Sequence, residues 1–481
     1  MSLACRDARR VFVTALLVYA VFWNPWLQYS HSWNFIDAAV SFVETGRWQM
    51  THTDLYKATD TVTVGGRVVS AVPPGTAVLL VPPYLAWRAI VGPVSTREDF
   101  EAFNALLVLA VSSVSAALAA VQVGWLAGWL GAPRGGQIWA AILFALGTQS
   151  FQFATLLSGE SVVGLAVVTA LRLAVEPGGP ARRALGGFAA AVTATLVQSA
   201  ALLAPLLVVL IGAREGPRRA VAFLAGAAPL TLALAAYNTW LFGRPWRTGY
   251  SFVPFPLGVE TGLFKPAILV DLLVGPRGGL FLYSPYLLLA VVGLALAWRT
   301  GRRGEASVAA AFFALVVLVV VAWQSRFTDR ALWAIGLGPR MLFGAVPLLA
   351  PFAARPLAEA GRGVRLLLAV PSLACAYLGA QAGLIPEANP VPYAVKTWIS
   401  GTGMGVLFKE ALPRWFGMET LHTTVSRPEV TATDLLRLLP THEGQLLAFH
   451  QALFLALNLV VLAATGWALR GLWREARGNG A

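Results

Sequence analysis

Residues 11–27 read VFVTALLVYAVFWNPWL, an apolar run with no charged residue, and Arg6, Arg9 and Arg10 stand just before it. A helix crosses the hydrocarbon core of a bilayer with about 20 apolar residues, and a basic flank marks the cytoplasmic end of such a helix. The same pattern returns at the far end, where residues 447–469 are followed by Arg470, Arg474 and Arg477. Working outward from the first run, apolar segments fall at 11–30, 101–130, 137–157, 160–175, 184–198, 201–212, 220–242, 279–298, 306–323, 341–354, 366–386 and 447–469. The expected fold class is therefore all-α: a polytopic membrane protein of about twelve transmembrane helices, with interfacial helices and loops on the outer side.

Composition agrees. The 481 residues are 57% hydrophobic and only 12% charged, against about 25% charged in soluble chains. A net charge of +13 is compatible with nucleic acid, but the placement of the arginines excludes that partner. Both termini and the short connections 131–136, 176–183, 213–219, 299–305 and 355–365 hold half of the 36 basic residues, in about a quarter of the non-spanning positions, which is the positive-inside asymmetry. Both termini are expected in the cytoplasm, and the first apolar run reads as a retained signal anchor with no clean cleavage site. Cys5 lies inside and Cys375 within a span, so no disulfide framework is expected. Two regions follow: residues 1–355, a transmembrane module containing the first outer loop 31–100, and residues 356–481, whose spans enclose the outer loop 387–446.

Pro74–Gly92 (PGTAVLLVPPYLAWRAIVG) tests this count. Counted as a span it inverts the arginine bias after it, and Pro82 and Pro83 interrupt it by removing helix hydrogen bonds. It reads as interfacial or re-entrant helices on the outer face. The stretch 184–212 is long for one helix and short for two, with a break expected between Gln198 and Pro205.

The large polar loops all fall outside, so chemistry is expected at the outer face. In the first loop Phe35, Ala38, Ala39 and Phe42 share one helical face, Asp37 and Glu44 stand two turns apart, and Gly46 is a helix stop. Asp54 and Asp60 follow in non-periodic sequence. Gly65-Gly66 reads as a tight turn between the β-like runs Thr61–Val64 and Val68–Val72. A loop acid is ordinarily just solvated, yet four acids precede one membrane-hugging segment here. Glu160 begins a span, where an acid is costly; its plain structural reading is a helix start capped by Ser158, with Glu160 favouring the helix dipole. Asp329 and Arg330 read as a local pair.

Arg247 and Arg340 sit where spans meet the outer face, and a planar guanidinium there suits a lipid phosphate; the alternative is snorkelling to ordinary headgroups. Tyr283 and Tyr286 suit the aromatic belt. There is no Gly-Lys dipeptide, hence no nucleotide P-loop, no Asp-x-Asp and no Gly-x-Ser-x-Gly elbow. None of the five histidines has ligand-pair spacing, so neither a cofactor nor a dedicated metal site is expected.

At four ordered strings the chain resembles the polytopic glycosyltransferases of the GT-C superfold, relatives of protein O-mannosyltransferases and of the lipid A aminoarabinose transferase. The strings are GGRVVSAVPPGTAVLLVPPYL (Gly65 to Leu85), YNTWLFGRPWRTGY (Tyr237 to Tyr250), GGLFLYSPYLLL (Gly278 to Leu289) and GPRMLFGAVPLLA (Gly338 to Ala350). The resemblance spans roughly residues 10–355. It implies a bacterial-type plasma membrane enzyme that takes a sugar from a polyprenyl-phosphate donor and gives it to an extracytoplasmic lipid, glycan or protein acceptor. It implies a first-loop acid as base and a second acid at the outer start of the fourth span, where Glu160 stands. For such a donor, phosphate contacts are expected at Arg340 and Arg247, from their place at the membrane edge, and at Tyr283. The family's first-loop acid aligns with His31 and Ser32, where this chain has none, so the base is Asp60, Asp37 or Asp54, with Asp60 first for its position before the Gly-Arg string. A transporter or flippase is the alternative, as is a non-catalytic scaffold of an envelope-polymer complex.

Overall fold

A computed structural model describes residues 3–24, 30–56, 60–252, 264–325 and 337–382, with isolated positions 459, 463, 466 and 470. The loop 387–446, the Asp329–Arg330 pair and nearly all of the last expected span lie outside these residues. Within them a helix stands at each expected span. Six stretches are long and apolar enough to cross a membrane: Arg97–Trp129, Gln198–Glu215, Pro217–Phe242, Arg303–Gln324, Arg340–Glu359 and Arg362–Ala380. The chain is a multi-pass membrane protein on this basis. The remaining helices at expected spans are shorter, and the figure of about twelve is not reached by the length criterion. The helices α1 (Cys5–Val21), α8 (Gly159–Val175) and α9 (Pro180–Leu196) have 17 residues each, about 25 Å at 1.5 Å per residue.

In chain order, α1 is followed by α2 (Ser30–Thr45), the strands β1 (Thr61–Val64) and β2 (Arg67–Ser70), α3 (Gly75–Ile90), and the long span made of α4 (Arg97–Leu107) and α5 (Val114–Trp129). Then come α6 (Arg134–Leu146), α7 (Gln149–Ala154), α8, α9, α10 (Leu203–Glu215), α11 (Pro217–Phe242), α12 (Pro266–Leu273), α13 (Leu280–Tyr283), α14 (Leu288–Arg299), α15 (Arg303–Gln324), α16 (Val346–Glu359) and α17 (Arg362–Ala382). The main core is built from the apolar faces of α1, α5, α6, α8 and α16. A second core of Trp33, Phe35, Ile36, Leu80, Tyr84, Phe100 and Phe103 clamps the first loop onto α4.

The expected hairpin is present. Thr61 pairs with Ser70 and Val64 with Arg67, and Gly65 and Gly66 take φ of 56° and 76°, as a two-residue turn with positive φ at both positions requires. α2 ends one residue before Gly46, whose φ is 71°. The 184–212 stretch breaks at Val197, between α9 and the 3-10 turn Gln198–Leu202 that leads into α10.

The 74–92 segment corrects one expectation. It is not interrupted: α3 runs unbroken through Pro82 and Pro83. The prolines remove the donors that would reach the carbonyls of Val78 and Leu79, and both residues are exposed, so the gap lies on the outer side of the helix. Such a gap is costly in hydrocarbon and cheap at an interface. Both ends of α3 stay near one end of the bundle. Gly75 lies against Thr195 at the end of α9, and Trp87 packs on Phe103 near the start of α4, with ring centroids 5.4 Å apart.

At the other end of the bundle the arginines of the short connections find carboxylates. Arg134 Nε donates to Asp7 Oδ2 at 2.6 Å, Arg214 Nη1 to Glu305 Oε1 at 3.1 Å, and Arg183 pairs with Glu215. Arg302 immediately precedes the start of α15, while the backbone N–H of Lys265 donates to Ser325 Oγ at its far end, at 2.9 Å. The 22 residues between are about 33 Å long. A cysteine placed beside Arg302 should therefore be labelled by an impermeant thiol reagent only from inside, and one beside Lys265 only from outside. The reverse pattern at either position would overturn the orientation.

Candidate functional site

The first turn of α2 faces the start of α8. Ser32 Oγ donates to the carbonyl of Leu157 at 2.7 Å, which fixes His31 next to it in a buried position, 7% exposed. Within the span Arg97–Trp129 a π-helical turn, Val108–Ser113, re-aims two serines toward the same junction. Ser112 Oγ accepts from the backbone N–H of Ser158 at 3.2 Å, and Ser113 Oγ donates to the carbonyl of Ala154 at 2.7 Å. Gly338, with φ of 119°, is tied by Gln149 Nε2 donating to its carbonyl at 2.6 Å, which brings in Arg340 at the 3-10 turn leading into α16.

Four side chains meet there. Arg340 Nε donates to Glu160 Oε1. Arg340 Nη2 donates to His31 Nδ1 at 2.8 Å, and His31 Nε2 lies 3.2 Å from Asp60 Oδ2. A guanidinium can only donate, so His31 Nδ1 is the acceptor and the ring proton sits on Nε2, directed at Asp60; the tautomer is assigned from this network. The hydroxyl of Tyr250 lies 3.4 Å from the same Nε2. Burial, and then the charges of Asp60 and Glu160, hold the Tyr250 phenol well above its usual range, so it stays protonated at neutral pH.

Asp60 is held unusually. It is the one non-glycine of positive φ among the described residues, at 55°, a conformation Asp tolerates better than most. Its carbonyl accepts from Asn34 Nδ2 at 3.1 Å and from the backbone N–H of Ala71 at 2.8 Å. The hairpin that follows docks through Val62 and Val69 on Leu241 and Phe242 at the end of α11. The Asp60 carboxylate remains 29% exposed.

The other sequence candidates lie elsewhere. Asp37 is fully buried and saturated: it accepts from Ser41 Oγ at 2.8 Å, from the backbone N–H groups of Thr51 and His52 at 3.2 and 3.3 Å, and from the Tyr56 hydroxyl at 3.2 Å. His52 Nδ1 lies 3.0 Å from it. It binds the 50–56 segment to α2. Tyr56 also reaches Asn34 Oδ1 at 3.4 Å, so Asp37 supports Asp60 through Tyr56 and Asn34. Burial and then the Asp37 charge push the Tyr56 phenol far up, which keeps it a donor. Asp37→Ala strands these donors, at about 1–3 kcal/mol for each one left unsatisfied. The expected result is a lowered melting temperature in detergent, and an unchanged one contradicts this role.

Asp54 is exposed in a turn. Glu44 pairs with Arg88 at 3.0 Å and accepts from Tyr84 at 2.6 Å. Arg247 is exposed, its guanidinium 5.5 Å from the Phe252 ring centroid. Tyr283 is buried, packs on Leu337 and donates to the carbonyl of Pro276. Of the seven residues proposed from sequence, the structure brings together Asp60, Glu160 and Arg340. It adds His31, Tyr250 and Asn34. The signal for His31 was its place where the GT-C pattern carries an acid; Tyr250 and Asn34 had none.

No protein-family model and no curated protein matches the chain. Among solved structures it is similar to the crystal structure of ArnT from Cupriavidus metallidurans in the apo state, at 12% identity over 94% of this chain and 75% of that one, with a TM-score of 0.49. It is also similar to the oligosaccharyltransferase of Archaeoglobus fulgidus in the apo form, at 14% identity over 88% of this chain, with a TM-score of 0.49. A third is the oligosaccharyltransferase AglB of that organism in complex with an inhibitory peptide and a dolichol-phosphate, at 12% identity over 88% of this chain, with a TM-score of 0.46. The chain spans 60% of the length of each of the last two. Likeness this distant says nothing about chemistry; the side chains around His31 do.

Proposed function

We propose that the chain is a membrane glycosyltransferase that moves a sugar from a polyprenyl-phosphate-linked donor to a hydroxyl-bearing lipid, glycan or protein acceptor on the extracytoplasmic side. The observation that carries this reading is the convergence of Asp60, from the first loop, and Glu160, from the start of α8, on the single pair His31–Arg340. A lipid phosphate brings its own leaving group, so the protein must supply a base for the acceptor and positive charge for the phosphate. Of the two acids in the cluster Asp60 is the more accessible, and it takes the proton of the acceptor hydroxyl. The acceptor oxygen then bonds to the anomeric carbon as the bond from that carbon to the phosphate oxygen breaks, and the electron pair leaves with the polyprenyl phosphate. His31 donates to Asp60 from Nε2 and so orients the carboxylate. Glu160 holds Arg340, whose charge faces the departing phosphate. Asp37, Asp54, Arg247 and Tyr283 have no place in this step.

The test is reconstitution of the full chain in liposomes with a panel of polyprenyl-phosphate sugars labelled in the sugar. Expected is transfer of label out of the donor lipid with release of polyprenyl phosphate. Movement of intact donor between leaflets without bond cleavage would replace this reading with that of a flippase.

A further inference from the structure

The four side chains around His31 do not by themselves make a phosphate site. With Glu160 and Asp60 ionised, Arg340 charged and His31 accepting at Nδ1, they sum to one negative charge. The sugar phosphodiester of the proposed donor is itself an anion. Positive potential must come from another source.

Two helix starts supply it. α8 begins at Gly159 beside the cluster, and Ser158, expected from sequence to cap it, does not: its hydroxyl donates to the carbonyl of Phe153 at 3.2 Å, and the helix has no side-chain cap. α3 begins at Gly75 after Pro74, which has no side chain able to cap it. The first N–H groups of a helix lack intrahelical acceptors, and the aligned peptides leave about half a positive charge at that end. The two starts touch. A Cβ on Gly159 would lie 2.7 Å from Thr76 Oγ1 and 3.9 Å from Phe35 Cζ. Two hydroxyls are stranded in these first turns. Thr76 Oγ1 and Ser161 Oγ have no hydrogen-bond partner among the described residues, although both residues are 1% exposed. A buried hydroxyl without a partner is costly and asks for an explanation.

We propose that the phosphate of a polyprenyl-phosphate lipid is seated by the converging starts of α3 and α8, with the Thr76 hydroxyl and the α8 backbone N–H groups as donors and Arg340 as the flanking cation. This rests on the transferase reading and locates its donor. Phosphate oxygens accept from backbone N–H groups at a helix start without further chemistry. Gly159 is then required because a side chain there would collide with Thr76.

The experiment titrates polyprenyl phosphate, and polyprenol as its uncharged control, against the full chain in nanodiscs. The variants are Thr76→Val, Thr76→Ser and Arg340→Gln. A hydrogen bond to a charged group contributes about 1.5–3 kcal/mol, so Thr76→Val should weaken polyprenyl-phosphate binding by about 10–100-fold. Thr76→Ser should bind as the parent does, and polyprenol binding should not change in either. If Thr76→Val binds polyprenyl phosphate as tightly as the parent while Arg340→Gln does not, the seat proposed here is wrong and the transferase reading stands. If the parent binds polyprenyl phosphate no better than polyprenol, both fall.

Discussion

Asp60→Asn is expected to lower sugar transfer by about 10²–10⁴-fold, the usual contribution of a general base, without weakening polyprenyl-phosphate binding. The substitution keeps size and the acceptor for the His31 proton but removes the capacity to take one. Asn also tolerates the left-handed backbone of this position, φ 55°, so the hairpin behind it should persist. Melting temperature and donor binding therefore serve as controls for folding. Full transfer by Asp60→Asn would remove Asp60 from the mechanism. Full transfer by Asp37→Asn and Asp54→Asn as well would remove the idea of a first-loop base.

Arg340 carries the second large effect. Its fork spans Glu160 through Nε and His31 through Nη2, and a lysine has one ammonium where that geometry needs two separate donors. Arg340→Lys should weaken polyprenyl-phosphate binding. Arg340→Met should do more, because it leaves the buried Glu160, 9% exposed at its side chain, without a counter-charge. Breaking one side of a buried pair costs about 3–5 kcal/mol, read as a lower melting temperature. Adding Glu160→Gln to Arg340→Met should recover most of that stability and none of the binding. Unaltered binding in Arg340→Lys would return Arg340 to the role of an interfacial arginine contacting ordinary headgroups.

The two arginines singled out by sequence show why the site was only partly legible. Arg247 and Arg340 both stand at the end of an apolar run, near Gly or Pro and aromatic residues. Local pattern cannot separate them. One lies exposed near Phe252 and the other inside a polar cluster. The same holds for Asp37 and Asp60, two acids of one loop. Burial with five donors around it makes Asp37 a fastener of the 50–56 segment, whereas the backbone around Asp60 is tied down and its carboxylate left accessible.

What the sequence determined by itself was everything set by transfer energy and local backbone geometry. Apolar runs place the helices, because each buried residue gains free energy whatever it packs against. Gly46 stops α2 and Gly65-Gly66 turns the hairpin, because only positive φ closes them. The acid at the start of α8 was visible because charge is expensive at that depth. Tertiary structure alone decided that α3 runs through its two prolines, that Ser158 leaves α8 uncapped, and that His31 joins Arg340 from 309 residues away. A side chain's hydrogen-bond partner is chosen by geometry between distant segments, and no local periodicity or composition encodes that choice.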